Sequence, residues 1–215
     1  MKRKFNLSEV LNIFLVLAII VIFMMQRWSE PSNSATYTPK NTEEIVLKNI
    51  HQRKSVRNFV SHKMVSKQDL ITLMKAGMAA PTAKNQQPWE FIAVTKVEEM
   101  EALAQKLPYA KMLQDAGGAI VVCGDLKQAK KGSVEAFWVQ DCSAATQNIL
   151  LAAEAMGLGA VWTGVYPTDR VKIVKEILSI PSDVIPLCVI PVGYPTGKDQ
   201  PKDKFKEDKI HWEKY

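Results

Sequence analysis

The sequence predicts an α+β domain, with helices and strands mixed rather than alternating, behind a separate N-terminal segment. Three observations carry this. Apolar residues recur at helical spacing in several long stretches, short runs of apolar and β-branched residues lie between them, and neither an internal repeat nor a strict strand–helix–strand rhythm orders them. At 215 residues the chain exceeds a typical domain of about 100–150 residues without reaching two, so one domain plus an appendage is expected. Hydrophobic residues at 47% and charged residues at 23% are ordinary for a globular protein, which supplies a core and excludes disorder for most of the chain.

The appendage comes first. Lys2, Arg3 and Lys4 precede an apolar run over residues 10–25 that only Asn12 interrupts, and Gln26, Arg27 and Trp28 close it. Its length falls between a signal-peptide core of about 7–15 residues and a membrane span of about 20. Residues 1–28 therefore read as an anchor or a signal segment. No A-x-A cleavage site follows and no cysteine is placed for lipid attachment, which favours an uncleaved single span. The basic cluster before the run outweighs Arg27 after it, so the expectation is a membrane-anchored protein with its catalytic domain on the extracytoplasmic side. Residues 29–40, with two prolines and three serines, read as a tether, and the folded domain is expected over residues 41–215.

Within that domain, the segment TEEIVLKNIHQRKSV has acids in its first turn and bases in its last, as the helix dipole prefers, and predicts a helix ending at the basic cluster. Ser66 and Asp69 form a capping box, after which Leu70, Leu73, Met74, Gly77 and Met78 recur at helical spacing until Pro81. FIAVT at 91–95 and AIVVCGD at 119–125 read as buried strands. Between residues 134 and 156, Phe137, Cys142, Ala145, Ile149, Ala152 and Ala153 point to several faces, which predicts a helix buried nearly all round. Its small residues, Ser143, Ala144, Ala145 and Ala152, suit a close helix approach at a dimer seam. AVWTGV follows as a strand, Thr168 is expected to cap a helix to Leu178, PLCVIPVGY reads as the last strand, and the tail after Gly197 as extended.

A net charge of +6 and a pI near 9.1 favour anionic ligands, but no arginine-rich stripe or aromatic–basic motif appears, so nucleic acid is not an expected partner. Cys123, Cys142 and Cys188 are isolated, and His51, His62 and His211 are scattered. That gives neither a disulfide framework nor a metal site, and any cofactor is expected to be organic. Arg53, Lys54, Ser55 and Arg57 close the first helix; in an extended segment Arg53, Ser55 and Arg57 share a face and can meet one phosphate, although the same residues also read as a solvated helix end. PTAKNQQPW, residues 81–89, fixes the backbone with two prolines while Thr82, Asn85, Gln86 and Gln87 offer groups able to read a flat heterocycle. GLGAVWTGVYP runs from helix into strand with tryptophan at 162, the reverse of a dinucleotide fingerprint, so a Rossmann site is not expected.

In this order, RKSVR, APTAKNQQPWEFIAV, GLGAVWTGVYP, IPVGYP and a tail ending IHWEKY, the chain from about Ile50 to Tyr215 resembles the nitroreductase family of FMN enzymes. The resemblance implies a mixed sheet flanked by helices and an intertwined homodimer. It implies that Arg53 and Ser55, with Lys54 in the same basic segment, lie on the phosphate side of FMN, with Arg57 nearer the ring or ribityl chain. Pro81, Thr82, Ala83, Asn85 and Gln87 would reach the flavin held mainly by the other subunit. Thr163 and Gly164 match the strand end whose backbone N–H groups meet the N5 and O4 edge, Lys202 and Lys204 a basic pair completing the phosphate site, and Lys111 a lysine near the pyrimidine. Thr82 replaces the commoner serine, and the acidic residue often found at the position of Thr163 is missing.

The cofactor carries the hydride chemistry, which is why no triad, metal cluster or carboxylate pair is needed and no side chain is singled out as catalytic. The expected function is ping-pong transfer of electrons from NADH or NADPH through FMN to small organic acceptors such as nitroaromatics or quinones. Alternatives are a membrane-anchored reductive dehalogenase or deiodinase, a non-catalytic flavin-binding electron-transfer module, and a basic protein that merely docks to anionic surfaces.

Overall fold

A computed structural model describes Leu15, residues 39–131 and residues 135–215. The chain divides into Met1–Glu44 and Ile45–Tyr215, and the second unit is the folded domain. Helix α1 (Pro39–Gln52) begins in the first unit and ends in the second, two residues ahead of the expected start and just before the basic cluster. The apolar run at residues 10–25, apart from Leu15, and the tether up to residue 38 lie outside the described residues.

Five strands form one sheet: β1 (Trp89–Val94), β2 (Gly118–Asp125), β3 (Gly159–Ala160), β4 (Thr163–Gly164) and β5 (Val184–Gly193). The order is β1-β2-β5-β3, with β4 also pairing β5. Every pairing among the described residues is antiparallel, so the expected mixed sheet is corrected on this point. Each strand reaches its neighbour with its direction reversed, and no crossover brings two together in parallel.

β2 and β5 are almost wholly apolar because both faces are covered. Alternation along β2 sends Ile120 and Val122 to one side, where they pack with Leu70 and Leu73 of α2 (Lys67–Met78) and with Cys142, Ala145 and Ile149 of α5 (Trp138–Ala155). Ala119, Val121 and Cys123 go to the other side, against Met100 and Leu103 of α3 (Val97–Lys106) and Val174 of α6 (Arg170–Leu178). A short α4 (Leu126–Lys131) follows β2. Three layers result, with the sheet in the middle.

Ser66 caps α2 as expected: its hydroxyl accepts from the Asp69 amide at 3.0 Å and donates to the Asp69 carboxylate at 2.7 Å. The helix stops at Met78, short of Pro81. AVWTGV is not one strand but two short ones, since Val161 and Trp162 break the ladder between β3 and β4. Asp169 stands at the cap position of α6 without a side-chain cap bond; the Thr168 hydroxyl, one residue earlier, accepts from the Arg170 amide at 3.3 Å and donates to the Val165 carbonyl at 2.6 Å. α3 and α4 were not foreseen.

The longest helix of the domain, α5, has 18 residues and includes Gln140, Asp141, Gln147, Asn148 and Glu154. No helix among the described residues is long and apolar enough to cross a membrane.

After α1 the chain runs extended along the sheet edge. The Val56 amide donates to the Ala160 carbonyl at 3.0 Å, the Val60 amide to Tyr194 at 2.8 Å, and Thr196 returns a bond to Asn58 at 3.0 Å. Val56 and Phe59 point inward and are buried. Two glycines make room for them: a Cβ on Gly159 would stand 2.6 Å from Val56 Cγ1, and one on Gly193 would stand 2.9 Å from Phe59 Cδ1. Overpacking of this kind costs about 1–3 kcal/mol. Gly159→Ala should therefore lower the thermal midpoint by about 2–10 °C, whereas Gly164→Ala, with nothing within 4 Å of its Cβ, should leave it within about 2 °C. Differential scanning calorimetry of the two variants checks the contrast.

Candidate functional site

With Val56 and Phe59 turned inward, the polar residues between α1 and Phe59 face outward and meet the C-terminal tail. Arg53, Lys54, Ser55 and Arg57 line one cavity of about 480 Å³ together with Lys198, Gln200, Lys202 and Lys204. Residues some 150 positions apart in sequence thus form one basic site, and the expected phosphate group of Arg53, Ser55, Lys202 and Lys204 is assembled within a single chain. Lys54 has a different immediate task. Its ammonium is paired with Glu154 of α5 at 2.7 Å, with both side chains largely buried, so it fastens the segment to the helix layer.

One carboxylate, Asp199, also lines this cavity. It is turned toward the chain: its oxygens accept from the Arg57 amide at 3.1 Å, the Asn58 amide at 3.0 Å and the Asn58 side chain at 3.1 and 3.2 Å. Burial opposes its charge, but the Asn58 side chain, the two amides and the Arg57 charge outweigh it and hold the carboxyl below its usual 3.8. Among the described residues, no ion pair engages Arg53, Lys202 or Lys204.

Arg57 also lines a second cavity of about 430 Å³ with Tyr109, Lys111, Trp162, Thr163 and Gly164. Lys111, Thr163 and Gly164 are thereby brought together with Arg57, which joins the two cavities. Thr163 is buried on β4, while Gly164 is open, with space above it for a flat ligand to reach the backbone. Tyr109 and Trp162 belong to this cavity and escaped the sequence reading.

The loop at residues 81–87 lines neither cavity. It is tied down from behind: the buried Asp141 carboxylate accepts from the Ala83 amide at 3.0 Å, the Thr82 hydroxyl accepts from the Gln87 amide at 3.1 Å, and Gln128 donates to the Gln86 carbonyl at 2.9 Å. Pro81, Asn85 and Gln87 remain exposed, and Gln87 donates to the Asn85 side chain at 2.9 Å. Lys84, Asn85 and Gln87 adopt left-handed φ values of 51°, 54° and 50°.

The cysteines take no part. All three are in the core, and burial pushes the Cys123 and Cys188 thiols up to about 12, far from a reactive thiolate. No group of His, Cys, Asp and Glu able to hold a metal occurs among the described residues.

The Asp199 clamp has a definite pH sense. Because its folded value is depressed, its stabilisation is present above about 3.8 and is lost as pH falls through the lower folded value. Asp199→Ala should speed hydrogen exchange at the Arg57 and Asn58 amides by roughly two- to fivefold at neutral pH, a modest figure because the site is largely exposed. The wild type should approach the variant only in strong acid. Exchange followed by NMR measures both.

The nitroreductase family model matches residues 50–108 and 103–194. A protein of Methanothermobacter thermautotrophicus, provisionally named NADH dehydrogenase/NAD(P)H nitroreductase, is 45% identical over 171 residues, 79% of this chain and 87% of its own. An FMN reductase (NADPH) of Bacillus subtilis is 30% identical over 191 residues, covering 80% and 73%. The crystal structure of a Parabacteroides distasonis protein, provisionally named like the first, superposes with a TM-score of 0.75 at 47% identity over 80% of this chain and 99% of that one. The expected membrane-anchored, extracytoplasmic placement is corrected here: the crystallised relative is matched over nearly its whole length, and no helix among the described residues is long and apolar enough to span a bilayer. The apolar run that carried the expectation lies outside the residues that the family model matches, which begin at residue 50. By its sequence and its fold, the chain belongs to the nitroreductase family.

Proposed function

We propose that this chain is an FMN-dependent NAD(P)H oxidoreductase, working as a homodimer on small organic acceptors such as nitroaromatics or quinones by a ping-pong mechanism. The observation that carries the reading is the pair of cavities joined at Arg57. One end gathers Arg53, Lys202 and Lys204 with the Ser55 hydroxyl, a donor set suited to a phosphate dianion, and these three cations have no ion-pair partner among the described residues. The other end offers an open backbone at Gly164 with cations on Arg57 and Lys111. The combined space suits a ligand with an anionic head and a flat ring. Asp199 keeps its negative charge in this cavity but gives its oxygens to the Asn58 side chain and to the Arg57 and Asn58 amides.

FMN supplies the centre that accepts and donates a hydride; the protein's residues bind and bias it. Arg53, Ser55, Lys202 and Lys204 would hold its phosphate. Arg57 and Lys111 would set positive charge beside a ring seated in the second cavity, which would favour an anionic reduced ring. With one cavity for both donor and acceptor, the two would act in turn, which is the ping-pong expectation. The homodimer follows from what one chain leaves exposed: Ile45, Val46 and Ile50 on α1, Phe205 and Trp212 in the tail, and the braced loop at residues 81–87. A second copy of the chain would cover these and bring the loop to the flavin.

Deiodination draws no support from the geometry, because only α3 and one 3₁₀ turn separate β1 from β2, all of it among the described residues. A pure electron-transfer module would fail to oxidise NAD(P)H with nitrofuran or menadione.

Arg53→Ala tests the reading. Hydrogen bonds to charged groups contribute about 1.5–3 kcal/mol, so the variant should bind FMN about ten- to a hundredfold more weakly in a fluorescence titration. Its preference for FMN over riboflavin should shrink in step, since the arginine acts on the phosphate. An unchanged preference would show that the basic segment is only a solvated helix end.

A further inference from the structure

Resting on the flavin reading, we infer that Tyr109, held by Arg170, is the wall that makes this site select flat aromatic acceptors. Tyr109 follows Pro108 in the loop after α3, lines the second cavity beside Trp162, Lys111 and Thr163, and is 71% exposed. So large a ring left open on a cavity wall offers a contact surface to a ligand.

Arg170 accounts for its position. The guanidinium lies 5.3 Å from the Tyr109 ring centroid, within cation–π range, and the same group donates to the Gly164 carbonyl at 3.3 Å. One side chain from the first turn of α6 therefore ties the ring to β4. The contact restrains Tyr109, and the ring and the open backbone at Gly164 share one neighbour in Arg170. Between them the site offers two aromatic rings, Tyr109 and Trp162. Their faces recognise a planar acceptor by ring stacking. A saturated ring of equal charge and similar bulk would lose that stacking.

The test is equilibrium binding of benzoate and cyclohexanecarboxylate to oxidised, flavin-loaded protein, read from the perturbation of the flavin absorption. The probes carry the same charge and similar bulk, but one ring is flat and the other puckered. Wild type should favour benzoate by about three- to tenfold. Tyr109→Phe should retain that ratio, while Tyr109→Leu, which keeps apolar bulk without a face, should bring it close to one, and Arg170→Ala should reduce it by about half or more. With a nitroaromatic acceptor, Tyr109→Leu should raise KM severalfold and change kcat by less than about twofold. Because Tyr109 is mostly exposed, these changes leave the core intact. A wild type that binds the two probes equally, or a Tyr109→Leu protein that keeps the preference, overturns the inference while the flavin reading stands. A wild type that holds no flavin overturns the flavin reading itself, and the inference with it.

Discussion

Val56 and Phe59 reach the sheet edge because Gly159 and Gly193 carry no side chains there, and that close approach decides where every charged residue around them points. In an extended segment neighbours alternate faces, so burying Val56 turns Ser55 and Arg57 outward together. The ladder bonds from Val56 to Ala160 and from Val60 to Tyr194 then fix the segment between β3 and the start of the tail. The tail lies where it does for the same reason: Thr196 bonds to Asn58, and Asp199 accepts from the Arg57 and Asn58 amides. Had the segment continued as helix, Lys202 and Lys204 would have had nothing to run beside.

Gathering several cations in one place is costly unless something compensates them. The structure compensates the inner part of the cluster and leaves the outer part. Lys54, the most inward-facing base, is neutralised by Glu154, and Asp199 faces Arg57 from the tail side. Arg53, Lys202 and Lys204 are left without an ion pair among the described residues. A protein using these residues only for solubility would have no reason to bring two of them from a distant tail onto the first. Their repulsion is tolerable where an anion relieves it, and that is the physical ground for placing a phosphate there.

Much of the fold was legible because it obeys local rules. The Ser66 cap and the buried runs of β2 and β5 follow from hydrogen-bonding groups and apolar spacing within a few residues. The expected all-round burial of α5 and the expected burial of β1 are corrected: α5 buries one stripe, from Trp138 through Cys142, Ala145 and Ile149 to Ala153, and leaves Gln140 and Gln147 exposed, while only Trp89 and Val94 of β1 are buried. α3 was legible too: Met100, Leu103 and Ala104 form its buried stripe, Glu98 and Glu99 sit in its first turn and Lys106 in its last. Its many charges masked that pattern. The break between β3 and β4 was not readable, since Val161 and Trp162 have good strand propensity and only the surrounding packing turns them out of the ladder. At the site, the charged motif was visible as residue types, but Asp199, Glu154 and Arg170 were not. Their partners lie elsewhere in the chain, about 140 positions away for Asp199, and no local pattern encodes that.

The loop at residues 81–87 shows the same separation between motif and placement, and it carries strain as well. Asparagine tolerates the left-handed region, but lysine and glutamine do so at a cost on the order of 1 kcal/mol or more each. A loop that merely joined α2 to β1 could relax out of such conformations. This one is prevented from relaxing by a buried carboxylate, Asp141, which takes the Ala83 amide, and by Gln128, which holds the Gln86 carbonyl from α4. The bracing comes from the protein side, while Pro81, Asn85 and Gln87 face solvent and neither cavity of their own chain. Strain maintained by buried hydrogen bonds on one face and spent on presenting polar groups from the other is expected of a surface shaped for a partner. Under the function proposed above, that partner would be the flavin seated in a second copy of the same chain.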